Sequence, residues 1–216
     1  MAKQPPKTPQ RRARSAAELR RPAPSKAGRR LILIVCEGDQ TEHRYFDAIR
    51  TAGSLTTVSI EIAPDAGQAL AVVERARTLR RLRRQQIEAL PYDEIWCVFD
   101  REARNEPASF PRAVALATRE KFGLAISNPS FEYWYLLHFT ETNRPYQDAD
   151  DLLADLRRHL PGYEKNHALF ARLHPQTSLA GNRADRLYER HPDRETDAFP
   201  NPSTLVQRLV RQLLDL

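Results

Sequence analysis

The order of apolar and amphipathic segments predicts an α/β fold: a parallel sheet flanked by helices, with additional helices at the C-terminus. Three observations carry this. Residues 31–36 (LILIVC) are a continuous apolar run, and 94–99 (EIWCVF) are apolar after Glu94, as in strands buried on both faces. Shorter β-rich segments follow at 58–62 and 124–126. Helical patterns separate all four, and strand–helix alternation of this kind builds a parallel sheet with helices on both sides.

The elements follow in order. After the first strand, Glu37-Gly38-Asp39 makes a tight turn, and Asp39 and Thr41 are placed to cap a helix over 41–52 whose inward face is Tyr45, Phe46 and Ile49. Gly53 ends it. The strand at 58–62 leads to a long helix over 66–90, which Pro91 stops. That helix has Leu70, Val73, Leu79 and Leu82 as apolar elements and six arginines, which read as a solvated face or as a nucleic-acid or partner contact. A helix at 108–121 and the strand at 124–126 precede Ser127-Asn128-Pro129. Residues 131–139 (FEYWYLLHF) then form a helix too aromatic to be exposed. Beyond about 145 the pattern is helical, at 148–160, 166–173, 184–190 and 203–214. The expected organisation is a flexible basic arm (1–29, with a short helix at 15–21), an α/β core (30–145) and a C-terminal helical region packed on it (146–216).

The chain has 216 residues, 41% hydrophobic and 29% charged, ordinary for a globular protein. No run reaches the roughly 20 apolar residues of a membrane span, and the N-terminus has no signal-like apolar segment, so a cytoplasmic location without membrane contact is expected. Cys36 and Cys97 lie in apolar strands and read as buried small hydrophobes. The formal charge is +6, yet residues 1–30 hold ten Lys or Arg and one acid, Glu18. The rest of the chain is therefore mildly acidic, which excludes a uniformly basic nucleic-acid-binding body. The arm reads equally as a phosphate-backbone contact or a solubilising extension.

Ligands of open parallel sheets sit beyond the carboxyl ends of the strands. There this sequence places Glu37 after the first strand, Asp100 and Glu102 after the third, and Ser127, Asn128 and Glu132 after the fourth. In extended backbone Asp100 and Glu102 share a face. Carboxylates that converge without basic partners repel, and a hard divalent cation relieves that repulsion. All-oxygen ligation points to Mg²⁺, with Mn²⁺ as substitute, and Glu132 extends the set towards a second metal. No Walker loop, dinucleotide glycine fingerprint or nucleophile elbow is present. His43, His138 and His167 are isolated; His138 ranks next as a functional histidine.

The segments 31–46 (LILIVCEGDQTEHRYF), 92–102 (YDEIWCVFDRE) and 125–139 (AISNPSFEYWYLLHF), with Tyr163-Glu164-Lys165 and Asn201-Pro202-Ser203-Thr204-Leu205-Val206, resemble the RloB-like family over about residues 29–214. The resemblance implies a Toprim-like fold, association with bacterial or archaeal phage defence and abortive infection, and in some members an ABC- or AAA-like ATPase partner. By similarity to Toprim nucleases it gives Glu37 an acid–base role, Asp100 and Glu102 the metal, Glu132 a further acidic role and Lys165 a phosphate contact. The usual Toprim pair is Asp-x-Asp, so Glu102 reaches one methylene further. The expected activity is Mg²⁺-dependent cleavage of DNA or RNA, with Arg44 and Arg101 assisting at phosphate and Asn128 orienting Glu132 or a water. A weakly catalytic or non-catalytic module binding nucleic acid or an ATPase, and a nucleotide phosphoryl-transfer enzyme, stay open beside it.

Overall fold

A computed structural model describes residues 30–62, 68–101 and 109–215. The basic arm, its short helix, and Glu102 lie outside the described residues. Five strands form one sheet in the order β2-β1-β3-β4-β5. These are β1 (Ile32–Cys36), β2 (Val58–Ile62), β3 (Glu94–Asp100), β4 (Gly123–Asn128) and β5 (Ser203–Thr204). The first four pair in parallel, and β5 joins β4 antiparallel.

Alternation along β1 explains the layers. Ile32, Ile34 and Cys36 face one core, while Leu33 and Val35 face the other. Helices α2 (Ala69–Gln85) and α3 (Ser109–Glu120) cover the second face through Val72, Val73, Ala76, Ala113 and Ala117. The first face carries α1 (Thr41–Ala52) and α4 (Glu132–Leu136). It also carries α5 (Ala149–His159), α6 (Phe170–Leu173), α7 (Thr177–Glu189) and α8 (Val206–Leu214). Leu152, Leu156, Val206 and Leu209 share one core with Ile32 and Ile34, so residues beyond 145 complete the sheet's covering. Both cysteines are buried and free.

Several expectations are corrected. The helix expected over 66–90 ends at Gln85; Gln86 is extended (ψ 117°), and the Arg83 guanidinium donates to the Leu90 carbonyl at 2.7 Å, holding the chain in a returning loop. The expected Asp39 and Thr41 cap is not made: Gln40 precedes α1 without a side-chain cap, and the Thr41 hydroxyl points elsewhere. The helix expected at 131–139 shortens to Glu132–Leu136 and that at 166–173 to Phe170–Leu173, while that at 184–190 starts at Thr177. The segment 203–214 opens as strand β5 before it becomes helical. By contrast Asp148 caps α5 as its type suggests, accepting the Asp151 N–H at 2.9 Å.

Gly123 shows how closely the layers approach. A Cβ there would lie 2.5 Å from the Trp96 ring, so only glycine admits this pairing of β3 and β4. Gly123→Ala is expected to cost about 1–3 kcal/mol of overpacking strain, read as a lower urea midpoint with unchanged slope. An unchanged midpoint would refute the close-approach argument.

Candidate functional site

The sheet delivers carboxylates to one edge. Glu37 follows β1 directly, and its backbone N–H donates to the Val98 carbonyl at 3.0 Å, which extends the pairing with β3 one step beyond the strand. Asp100 ends β3, in register with Ser127 of β4. The Glu37 carboxylate accepts the Asp100 backbone N–H through Oε2 at 2.9 Å, bridging the two strand ends. Glu132 opens α4, just beyond β4. A cavity of about 220 Å³ collects Glu37, Asp39, Glu42, Asp100 and Glu132 opposite Lys165. Five carboxyl groups thus face a single ammonium.

Glu132 is almost fully buried and is held by hydroxyls. Ser130 Oγ donates to Oε2 at 2.7 Å, while Tyr163 OH and Thr41 Oγ1 donate to Oε1 at 3.3 and 3.4 Å. Hydroxyl donors of this kind satisfy buried carboxyl oxygens without bringing a charge of their own. Two of them come from α1 and from the loop after α5, so the site is tied to both.

Asp100 lines this cavity and is half-buried. Burial, together with Glu42, Glu132 and Glu37, pushes its carboxyl well above the usual range, and the Phe131 backbone N–H offsets only part of this. Glu42 is buried in the first turn of α1. Burial, Glu132 and Glu37 raise it to about 7, against its own backbone N–H and Lys165. Gly38 makes room for it: a Cβ there would stand 2.6 Å from Glu42 Oε2. Glu42 was not among the expected site residues. Its signal is nevertheless present, because the Glu-Gly-x-x-Thr-Glu segment carries it from Glu37 at the strand end into the first turn of the next helix.

The other expected residues divide. Lys165 is exposed and lines the cavity. Arg44 is exposed outside it and donates to Gln40 at 3.3 Å; Gln40 itself lines the cavity. Arg101 turns away, ion-paired with Asp197, donating to the Phe199 carbonyl at 2.6 Å, and lying over the Phe110 ring. Asn128 donates to the same Phe199 carbonyl at 2.8 Å. Both therefore anchor the 197–199 segment to the sheet. His138 is buried in the aromatic core, and its Nδ1 bonds the Trp134 carbonyl at 2.9 Å. Burial lowers its pKa to about 4, so it stays neutral.

The donor set suits a hard cation in chemistry: carboxylate oxygens, charged and partly desolvated. Its arrangement is less complete. Among the described residues no group of three or more His, Cys, Asp or Glu side chains is placed to hold a metal ion. Glu102, the remaining expected ligand, lies outside them.

A helix-flanked, mainly parallel sheet with acidic residues gathered at its carboxyl edge defines a Toprim-like α/β protein. The RloB-like protein family model matches residues 32–213, and the chain belongs to that family. Membership supports a nucleic-acid-associated role in a defence setting. Neither the curated proteins nor the solved structures provide a match. No helix among the described residues is long and apolar enough to cross a membrane.

Proposed function

We propose that this chain is a divalent-metal-dependent nuclease that cleaves phosphodiester bonds of DNA or RNA at the carboxyl edge of the sheet. The observation that carries the reading is the cavity itself: Glu37, Glu42, Asp100 and Glu132 converge, and burial with the neighbouring carboxyl groups disfavours the ionisation of Glu42 and Asp100. Asp100, Glu132 and Glu37, with Glu102, would hold Mg²⁺ or Mn²⁺. Once bound, the ion supplies positive charge to a phosphoryl oxygen and acidifies a water. Glu37, fixed by the Asp100 N–H, would orient the attacking water and take up its proton. Lys165, exposed at the rim, meets the phosphate as a point charge. Tyr163 and Ser130 keep Glu132 facing inward. The basic arm adds salt-sensitive, sequence-independent affinity for the polymer.

The cavity size favours one backbone phosphate of a polymer over an enclosed nucleotide. It measures about 220 Å³, against about 300–1,000 Å³ for typical small-molecule sites. The test is cleavage of a panel of single- and double-stranded DNA and RNA with Mg²⁺ or Mn²⁺. Glu37→Gln is expected to lower the rate by at least about 100-fold, the scale of a lost general base. The absence of three grouped ligands among the described residues favours a second reading, a nucleic-acid- or ATPase-binding module without turnover. Metal-independent binding of the same panel with no cleavage, alone or with an ATPase encoded beside it, would select that reading.

A further inference from the structure

The second notable surface lies at the opposite end of the sheet. Helix α2 runs back from the carboxyl edge to the amino edge, about 25 Å for 17 residues. Arg80 and Arg84 of its last two turns stand beside Glu94, Trp96 and Gly123, none of which lines the carboxylate cavity. Three of the five large apolar side chains exposed among the described residues cluster here: Leu82 at 46%, Ile87 fully exposed and Leu90 at 75%. Scattered exposed leucines are ordinary, but a cluster within nine residues is not.

This cluster is held out by structure. Arg83 lies over the Tyr92 ring at 4.8 Å and donates to the Leu90 carbonyl, bracing the loop. The Gln86 and Ala89 backbone N–H groups close two turns within it, at 3.2 Å each. Charge surrounds it. Helix α2 carries six arginines and one acid, Glu74, within a body that is otherwise acidic. Arg77 and Arg80 are paired with Glu120, and Arg75 with Glu61. Arg81 and Arg84 are exposed, with no ion pair among the described residues.

We propose that Leu82, Ile87 and Leu90, with Arg81 and Arg84, form a docking surface for a partner protein that presents an apolar strip edged by carboxylates. Exposed Arg81 and Arg84 outweigh the one exposed acid of the loop, Glu88, and this balance fixes the sign of that edge. The aliphatic side chains fix the class of partner: a phosphate backbone satisfies arginines but gains nothing from Ile87 and Leu90, whereas protein interfaces combine an apolar centre with arginine. The surface is separate from the cavity, so a docked partner leaves the carboxylates open.

The probe is the photo-crosslinking residue p-benzoylphenylalanine, placed at position 87 of the full chain in cells that carry the gene, with position 158 as an exposed control. The expected result is one protein adduct specific to position 87, attached through a segment bearing acidic and apolar residues. Binding of that purified protein should weaken at least tenfold in Ile87→Asp/Leu90→Asp, and clearly in Arg81→Glu/Arg84→Glu, as for residues central to an interface. Both pairs are exposed, so neither change threatens the fold, and equal thermal melts verify this. Crosslinks only to nucleic acid, only to further copies of this chain, or equal at both positions would overturn the proposal. So would binding that Ile87→Asp/Leu90→Asp leaves unchanged.

Discussion

Asp100→Asn is expected to stabilise the metal-free protein at pH 8 and to remove its metal-dependent cleavage. Asparagine keeps the shape of the side chain and its acceptor for the Phe131 N–H. It removes the charge that burial, Glu42, Glu132 and Glu37 all oppose. Stability gained by deleting a charge is the usual sign of a site kept for chemistry. Cleavage is expected to fall by about a thousandfold or more, because a ligand acting on the transition state is lost. A binding readout separates these effects. Mg²⁺ at about 100 times its dissociation constant adds about 2.7 kcal/mol to a protein that binds it only when folded. That increment should appear in the parent protein and vanish in Asp100→Asn. A variant less stable than its parent at pH 8, or one retaining a tenth of the activity, would contradict the assignment.

How far the sequence reaches depends on which physics sets each element. Strands β1 and β3 were legible because burial on both faces leaves an uninterrupted apolar run. Strand β5 was not, since Ser203–Thr204 is a strand only through pairing with Ser127 and Asn128, and its contact is the Ser127–Thr204 hydroxyl pair at 3.0 Å. Helix α7 starts before Gly181, and in the fold the Arg211 side chain of α8 occupies the space beside this glycine. The end of α2 depends on a side-chain-to-carbonyl bond seven residues away, which no periodicity contains.

The site divides in the same way. Glu37, Asp100 and Glu132 line one cavity because strand order alone brings strand ends together. Arg101 and Asn128 stand at the same strand ends, but Asp197 and Phe199, some 70 to 100 residues later, claim them. Glu42 does not stand out in the sequence, because an acid in the first turn of a helix has an ordinary explanation in the helix dipole. Only burial beside Glu37 and Glu132 distinguishes it. The C-terminal region also contributes to the cavity, for Tyr163 holds Glu132 and Lys165 lines it.

Glu42 supplies the second large expected effect, a stability that declines as pH rises. Its carboxyl moves from an ordinary 4.5 to about 7 in the folded chain. The folded state therefore holds the proton more tightly than the unfolded one. The resulting stabilisation is complete below about 4.5 and is lost as pH rises through about 7. At 1.36 kcal/mol per pKa unit the span is up to about 3 kcal/mol. His138 acts in the opposite direction over an overlapping range. Its pKa falls from 6.5 to about 4, so its contribution is lost as pH drops between those values. The pH profile of the parent protein is accordingly flattened and does not isolate either group. The difference between the parent and Glu42→Gln does, because His138 is common to both. Glutamine should leave stability nearly unchanged at pH 4 and raise it by up to about 3 kcal/mol at pH 8, measured by urea unfolding without metal. Part of that gain will pass to Asp100, for which Glu42 is the foremost of the neighbouring charges. A parent–variant difference equal at both pH values would show that Glu42 ionises as freely in the fold as outside it, and that the carboxylates do not act as one cluster.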